Sequence, residues 1–447
     1  MTDAVLAVLC LLILLWAITS QLLSRHDVTG PLLFVVAGYV LANPTWGVLD
    51  VDVDTSLVHR LAELTLALVL FTDASRVDVG GLRKAVRVPA RLLLIGLPLT
   101  MLLGTLGAYW CFGGIGWALA LFVGASLAPT DAALSVQLIN DERIPQRLRL
   151  ALNVESGLND GIATPVVTLA IALAGTSMGL SSGEHVTVGD AGVELLLGVA
   201  IGVVVGAVSA WAINMSARQG LSSASTRRIA TLAVAIGVFL LALAVEGNGF
   251  IAAFVAGMTF GYIVRRPISS GSEESDKAID DSDGTALEVL PELGGELLAL
   301  MVWFLFGAAL IPLVLQVVEA GDLLLMLAYA VLSLTVFRMV PVVLSLLGSG
   351  LSARDVAIVG WFGPRGLASV VFGLLGVEAL AGSTAQTAVA AIGTTVFLSV
   401  IAHGVTAGPV ARRYPAEAAG VADEVAEAGA VTVRSRGMLV WRHGSTR

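Results

Sequence analysis

Long apolar stretches recur along the whole chain, and this pattern leaves few folds open. A helix needs about 17–25 mostly apolar residues to cross the hydrocarbon core of a bilayer, a length that suits helices rather than strands. Candidate segments lie near 4–23, 31–49, 56–72, 90–111, 115–138, 148–175, 190–216, 227–246, 248–264, 294–317, 322–347, 354–377 and 385–409. We therefore predict an all-α polytopic membrane protein with about 13 transmembrane helices.

The composition supports this prediction and narrows the range of partners. Hydrophobic residues make up 57% of the 447 residues and charged residues 13%, whereas soluble domains carry about 25% charge. The formal net charge of -9 argues against a nucleic-acid partner, which would need a concentrated basic surface. We expect the lipid bilayer to be the main partner of a transmembrane domain, 1–413. The polar residues of 414–447 predict a disordered C-terminal tail.

The distribution of basic residues predicts the orientation of the chain. With an odd number of helices, the two termini lie on opposite sides of the membrane. If the C-terminus is cytoplasmic and the N-terminus extracellular, all but three of the 25 Lys and Arg residues fall on the cytoplasmic side, as the positive-inside rule requires. The exceptions are Arg60, Arg338 and Arg365. Because Arg338 and Arg365 lie inside apolar segments, we expect each to have a buried partner.

The motif NVESGLND, residues 153–160, lies inside the sixth apolar segment. A charged side chain at the bilayer centre costs about 2.5–3.5 kcal/mol on insertion scales, and ionisable residues at this depth are functional by default. Residues four apart lie on the same side of a helix. The motif therefore presents two adjacent polar stripes, Glu155 with Asn159 and Ser156 with Asp160, and it is the first candidate for a functional site.

Two other segments carry helix-breaking residues beside polar ones. The fifth reads APTDAALS at 128–135, where Pro129 removes a backbone donor before Thr130 and Asp131. The twelfth reads GPRGLASVV at 363–371. Interrupted segments in corresponding positions of two halves are typical of transporter sites, and carbonyls freed at such breaks can coordinate cations. With helices 2–6 and 9–13 as the halves, the pattern predicts an inverted repeat with interrupted crossing helices 5 and 12.

The side chains in these segments suit a hard cation and a proton. The donors are all oxygens, whereas soft metals prefer Cys or His. A proton and a cation compete for a buried carboxylate, because burial favours its neutral form, and this competition couples their fluxes. Two structural alternatives stay open. Asp131 and Asp160 would lock helices together in the first, and Thr130 and Ser156 would bond to helix carbonyls in the second.

At these residues the chain resembles the monovalent cation:proton antiporters, a family that includes bacterial NhaP proteins and animal sodium/proton exchangers. The matching stretches are LALVLFTDASRVD (66–78), APTDAALS (128–135), VESGLNDGIA (154–163), FIAAFVAGMTFG (250–261), VFRMVPV (336–342) and GPRGLASVV (363–371). They are spread over nearly the whole membrane region. The resemblance implies a secondary active antiporter that exchanges Na⁺, or else Li⁺ or K⁺, for H⁺ by alternating access, electroneutrally and one for one.

The resemblance also implies roles for the polar residues of the two motifs. Asp160 would be the carboxylate that cation and proton share. Thr130, Asp131 and Ser156 would complete an oxygen cage for Na⁺ around it. Asn159 would be the neutral member of an Asn-Asp pair that the family associates with electroneutral exchange.

Four further charged residues are implied to support this site. Glu155 would pair with Arg338, Arg365 would brace the crossing of helix 12, and Asp73 matches an acidic position near the ion path in some relatives. The resemblance also implies a homodimer in the cell membrane. No cofactor is expected beyond the transported Na⁺ and H⁺, and no enzymatic activity.

Other classes of function are weighed against Na⁺/H⁺ antiport. A K⁺/H⁺ antiporter of the same fold is the nearest alternative. A passive cation channel would need a repeated filter element or rings of charge, and the sequence has neither. A membrane enzyme would need a nucleophile or a metal constellation, and the sequence has no His/Cys cluster. A non-transporting sensor has only the polar tail in its favour.

Overall fold

A computed structural model describes residues 3–25, 28–43, 47–49, 56–76, 87–139, 141, 143–180, 188–265, 287–317 and 323–414 of the chain. The predicted disordered tail lies outside the described residues, apart from its first residue, Tyr414. Most of the polar segment 265–292 lies outside them as well.

The described residues form helices, which we number in chain order, and no strand occurs among them. The helices are α1 (Asp3–Arg25), α2 (Gly30–Leu41), α3 (Ser56–Ser75), α4 (Arg87–Cys111), α5 (Gly116–Ser126, continued by a 3₁₀ turn, Ala132–Ser135, and an α-turn, Val136–Ile139), α6 (Gln146–Ser177), α7 (Val188–Arg218), α8 (Ala224–Ala244), α9 (Gly249–Val264), α10 (Val289–Val317), α11 (Leu323–Leu346), α12 (Ala353–Trp361 and Leu367–Ala379) and α13 (Ser383–Arg412). Within this part of the chain, eight helices are long and apolar enough to cross a membrane, and four shorter apolar helices accompany them. The all-α prediction is confirmed, while the number of crossings stays a prediction.

Two helices depart from their predicted extents for local reasons. α2 ends at Leu41 instead of near residue 49, because Asn43 precedes Pro44, and the residue before a proline disfavours helical backbone. α11 is interrupted at Thr335, which has φ -109° and ψ -84°, where we predicted a continuous helix. The Thr335 hydroxyl donates to Val331 O at 2.5 Å, and back-bonding of this kind bends helices.

The start of α10 is also earlier than predicted, at Val289, because its charged residues have partners. Glu288 accepts from Arg265 Nη2 at 2.8 Å and lies 3.5 Å from Arg76 Nε, and Arg76 also contacts Glu292. We call Arg76, Arg265, Glu288 and Glu292 the edge cluster. It joins the ends of α3 and α9 to the start of α10.

Small residues allow α3 and α9 to approach closely. A Cβ at Gly257 would overlap the carbonyl of Phe71, and a Cβ at Gly261 would overlap the carbonyl of Ser75. Glycine lets helix backbones meet where any other residue would hold them apart, and membrane helix interfaces are enriched in it. This contact holds α3 and α9 together beside α6, the helix that carries the acidic motif.

Candidate functional site

The interrupted parts of α5 and α12 cross each other. α5 has no regular helix over 127–131, and α12 has none over 362–366. The backbone N–H of Asp131 donates to Pro364 O at 2.8 Å. A Cβ at Gly366 would overlap the Asp131 carboxylate, so this approach requires glycine. The predicted crossing of two interrupted helices is therefore confirmed.

The carboxylate of Asp131 bonds to the backbone of both interrupted helices. Oδ1 accepts from Ala133 N at 2.9 Å and Oδ2 from Leu367 N at 3.1 Å. Leu367 begins the second half of α12, and the partial positive charge of a helix N-terminus stabilises an anion. Asp131 thus ties the break of α5 to that of α12.

The acidic motif of α6 bonds directly to the break of α5. The Ser156 hydroxyl donates to Thr130 O at 2.8 Å and accepts from Ala132 N at 2.7 Å. Asn159 Nδ2 donates to Thr130 Oγ1 at 2.7 Å. Within the described residues, Asn159 Oδ1 is a buried acceptor with no hydrogen-bond partner. The motif therefore fixes the break of α5 and leaves one amide oxygen available to a ligand.

Asp160 follows Asn159 on α6 and is 8% exposed. Its backbone carbonyl accepts from Thr164 Oγ1 at 2.7 Å. The five side chains predicted to bind the cation are each at least nine-tenths buried: Thr130, Asp131, Ser156, Asn159 and Asp160.

The donors at this crossing limit what it can bind. In the part of the chain that the structure describes, no group of three or more His, Cys, Asp or Glu side chains could hold a metal ion. A cation bound at the crossing would take its ligands from hydroxyl and amide oxygens besides the carboxylates. Such ligands suit a hard cation.

Glu155 and Arg338 form a bidentate ion pair next to the crossing. Arg338 Nη1 donates to Glu155 Oε1 at 2.6 Å, and Nη2 donates to Oε2 at 2.9 Å. Both residues are 1% exposed. Each carboxylate oxygen of Glu155 accepts from its own guanidinium nitrogen, so the pair joins α11 to α6.

The fully buried side chain of Arg365 binds carbonyls at two helix breaks. Nη1 donates to Ala128 O at 2.7 Å and to Pro129 O at 3.3 Å, and Nη2 donates to Ser333 O at 3.4 Å, just before the break of α11. We predicted that carbonyls freed at the α5 break could serve a cation. Those of Ala128 and Pro129 accept from the Arg365 guanidinium, and coordination of a cation by carbonyls of this break stays a prediction.

Asp73 is half-buried near the end of α3 and faces α6. A Cβ at Gly157 would lie 3.7 Å from Asp73 Cβ. Gly157 immediately follows Ser156, so Asp73 lies beside the acidic motif.

Sequence reasoning missed two contributions to the crossing. The Ser369 hydroxyl, in the second half of α12, donates to Ser126 O at 2.6 Å, which satisfies a carbonyl at the end of the first half of α5. Ser399 of α13 accepts from Arg365 N at 2.7 Å. The small and polar residues of SVIAHGVT, 399–406, were the signal for this contact, since apolar residues alone would suffice against lipid.

This fold and this site define a class of membrane transporter. The transmembrane region of the sodium/hydrogen exchanger family matches residues 7–413. The chain therefore belongs to the sodium/hydrogen exchanger family.

Individual relatives agree with this assignment. The "K(+)/H(+) antiporter NhaP" of Alkalimonas amylolytica is 24% identical over 382 residues, which are 83% of this chain and 60% of the relative. The "Uncharacterized Na(+)/H(+) exchanger YjcE" of Escherichia coli K12 is 28% identical over 251 residues, 54% of this chain and 43% of the relative. The chain thus spans less than two thirds of the length of these curated relatives.

A solved structure shows the same fold. The sodium proton antiporter MjNhaP1 from Methanocaldococcus jannaschii superposes with a TM-score of 0.69 at 18% identity, covering 92% of this chain and 98% of that one. At this identity the likeness concerns the fold alone. The predicted antiporter fold is confirmed.

Proposed function

We propose that this protein is a secondary active antiporter that exchanges a monovalent cation for a proton across the cell membrane. The observation that carries the proposal is the buried contact between the α6 motif and the break of α5. Ser156 and Asn159 bond to Thr130 there, directly beside Asp160. Polar residues at membrane depth mark an ion pathway. Membership of the sodium/hydrogen exchanger family and the names of the relatives support the same function.

In the proposed cycle, Asp160 holds either the proton or the cation. Burial of its carboxyl group favours the neutral, protonated form, and an arriving cation favours the charged form. The hydroxyls of Thr130 and Ser156 and the Oδ1 atom of Asn159 supply neutral oxygens to the cation. Because one site alternates between two ligands, each crossing of the membrane carries only one of them, and transport of the two is coupled.

Asp131 has a different role in the proposed cycle. Two backbone N–H groups donate to its two carboxylate oxygens, and a proton would replace one acceptor with a donor. We infer that Asp131 contributes a fixed negative charge and that Asp160 alone exchanges protons. Exchange is then electroneutral, with one cation traded for one proton.

Two observations bear on which cation is transported. We favour Na⁺, since the buried donors are oxygens throughout and the superposed structure is described as a sodium proton antiporter. K⁺ is the second candidate, because a relative that matches 83% of this chain is named a K⁺/H⁺ antiporter. Li⁺ shares the same preference for oxygen ligands.

Further parts of the proposal rest on the sequence and, for the homodimer, on the family resemblance. The C-terminus is cytoplasmic and the N-terminus extracellular, on the positive-inside rule. Residues 1–413 form the exchanger domain, and Asp73 lies near the cytoplasmic ion path. The protein works as a homodimer, carries no resident cofactor and is not an enzyme.

Purified protein in liposomes tests the proposal. A pH gradient is imposed, a pH-sensitive dye reports it, and Na⁺, Li⁺ or K⁺ is added over a range of pH. We expect at least one cation to dissipate the gradient saturably. Asp160→Asn should reduce this to the level of empty liposomes, whereas Glu63→Gln, in the exposed ion pair of α3, should leave it unchanged.

Two outcomes would contradict the proposal. One is a wild-type protein with which none of the three cations dissipates the gradient. The other is a cation flux that carries current and leaves the pH gradient intact, which would identify a channel. Exchange by Asp160→Asn at the wild-type rate would leave antiport standing and remove Asp160 as its carrier.

A further inference from the structure

α13 contacts both ends of the break in α12. His403 of α13 is 1% exposed, and its Nε2 lies 2.8 Å from Trp361 O, the last carbonyl of the first half of α12. The rings of Trp361 and Phe362 pack against the imidazole with centroids 5.2 and 6.3 Å away. At the other end of the break, the Ser399 hydroxyl accepts from Arg365 N at 2.7 Å.

These contacts form one continuous hydrogen-bonded chain. Trp361 O can only accept, so it bonds to the imidazole tautomer whose hydrogen is on Nε2. His403 Nδ1 is then an acceptor, and the Ser399 hydroxyl, 3.2 Å away, is its donor. The order of donation is Arg365 N–H to Ser399 Oγ, Ser399 O–H to His403 Nδ1, and His403 Nε2–H to Trp361 O.

The same imidazole offers two alternatives. Nδ1 also lies 2.8 Å from Ser399 O, an acceptor to which it donates either as the other neutral tautomer or after gaining a second proton. The resulting imidazolium would face the guanidinium groups of Arg365 on α12 and Arg338 on α11, the charged groups that act on this ring. The bond from Nε2 to Trp361 O is present in the imidazolium as well, so the link across the break requires only a hydrogen on Nε2.

The α12 segment held by these hydrogen bonds also contacts the break of α5, which carries part of the candidate cation site. Pro364 O accepts from Asp131 N, and Leu367 N donates to Asp131 Oδ2. The side chain of Arg365 binds Ala128 O, two residues before Thr130. A displacement of residues 361–367 therefore reaches Asp131 and Thr130 directly.

We propose that His403 and Ser399 are positioning residues for cation binding: they hold both ends of the α12 break, and through it they hold the oxygen ligands on α5. The inference rests on the proposed antiport function and assigns that site a support on a third helix. Neither residue touches the cation. Loss of either should weaken cation binding, while the maximal rate of exchange stays nearly unchanged.

Four variants in liposomes separate this role from simple packing. His403→Leu and Ser399→Ala each break the chain and should raise the apparent cation KM about fivefold, the size expected for one lost hydrogen bond. The double variant should be no worse than either single one, because both belong to the same chain. His403→Gln keeps a donor for Trp361 O and an acceptor for Ser399, so its KM should lie within about twofold of the wild type.

Thr406→Val is the matched control. It removes the bond from Trp361 Nε1 to Thr406 Oγ1, 3.0 Å long, which anchors the same tryptophan by its side chain and not by its backbone. We expect an unchanged KM. The cation-dependent rise in the melting temperature of the detergent-solubilised protein provides a readout without transport, and it should shrink in His403→Leu and Ser399→Ala but not in Thr406→Val.

The outcomes distinguish this inference from the function on which it rests. A wild-type protein without exchange or cation-dependent stabilisation overturns the proposed function. A wild-type protein that exchanges, with His403→Leu and Ser399→Ala at wild-type KM and full cation stabilisation, overturns the positioning role alone. An equal rise in the cation KM of His403→Gln and His403→Leu would overturn it too, because the donor and acceptor of glutamine should restore binding.

Discussion

Arginine–carboxylate contacts occur beside the crossing of α5 and α12 and again in the edge cluster, and their geometry differs between the two places. Beside the crossing, Arg338 and Glu155 pair one to one, with two parallel hydrogen bonds of 2.6 and 2.9 Å and 1% exposure of both residues. In the edge cluster, Glu288 is shared between Arg76 and Arg265 at 3.5 and 2.8 Å, and the arginine side chains are about a quarter exposed.

The difference concerns how completely a buried charge is compensated. In the edge cluster, burial raises the pKa of Glu288 above its ordinary value of 4.5, although Arg265 and Arg76 act to lower it. The two arginines do not fully offset the cost of removing the Glu288 carboxylate from water. Beside the crossing, each oxygen of Glu155 has its own donor, and removal of either partner would strand a charge. We therefore expect substitutions near the crossing to cost more than equivalent ones at the edge.

The largest effect should come from the Glu155–Arg338 pair. Either Glu155→Gln or Arg338→Gln should lower the free energy of unfolding by about 3–5 kcal/mol. The double variant should lose less than the sum of the single ones. Thermal unfolding in detergent measures this, with Glu63→Gln in the exposed Arg60–Glu63 pair as a control worth about 0–1 kcal/mol. Strictly additive losses would mean that the two buried side chains do not meet.

A smaller loss is expected for Arg365→Lys. Lysine keeps the charge, but its single ammonium cannot bind the carbonyls of Ala128 and Ser333 together as the planar guanidinium does. We expect a loss of about 1.5–3 kcal/mol, the range for hydrogen bonds to a charged group, measured by the same unfolding assay. Unchanged stability would show that one carbonyl of the α5 break suffices to hold the crossing.

Tyr414→Phe should cost less again, about 1 kcal/mol. The Tyr414 hydroxyl donates to Asp355 Oδ1 at 2.8 Å, at the start of α12. Burial, followed by this bond, raises the pKa of Tyr414 to about 12. A raised pKa means that the folded state holds the proton more tightly, so the contribution is complete below pH 10 and is lost towards pH 12. The difference between Tyr414→Phe and the wild type should therefore be constant up to about pH 9.

The smallest effect is expected for Glu288→Gln in the edge cluster. Its folded pKa lies above 4.5, so the wild-type protein loses stability as pH rises through the window above that value. Glu288→Gln should remove this slope and change stability by less than about 1 kcal/mol at neutral pH. A loss of stability as large as that of Glu155→Gln would contradict the difference between the edge cluster and the Glu155–Arg338 pair.

The sequence predicted those parts of the site that depend on local chemistry. Pro129 and the Gly-Pro pair at 363–364 indicated where two helices break, since proline lacks a donor and disfavours helix before it. The need of a buried guanidinium for a partner predicted a buried acid for Arg338, and the family resemblance implied that this acid is Glu155. Spacing placed Ser156 and Asp160 on one stripe of α6.

The remaining features depend on how the helices meet, and single-segment patterns do not contain that information. The bonds of the Asp131 carboxylate to Ala133 N and Leu367 N appear only once the breaks cross. The occupation of the α5 carbonyls by Arg365 likewise depends on the approach of α12. No proline or glycine lies beside Thr335, so the residues there did not predict the interruption of α11.

Proton release on cation binding tests most directly whether Asp160 holds either a proton or a cation. Purified protein in a weakly buffered solution is titrated with Na⁺, Li⁺ or K⁺ while the pH is recorded. We expect release of about one proton per cation bound, because the ligand must lose its proton first. Asp131→Asn should still release protons if it still binds the cation, and Asp160→Asn should release none. Cation binding by the wild type without proton release, or release by Asp160→Asn at the wild-type level, would contradict the shared carboxylate.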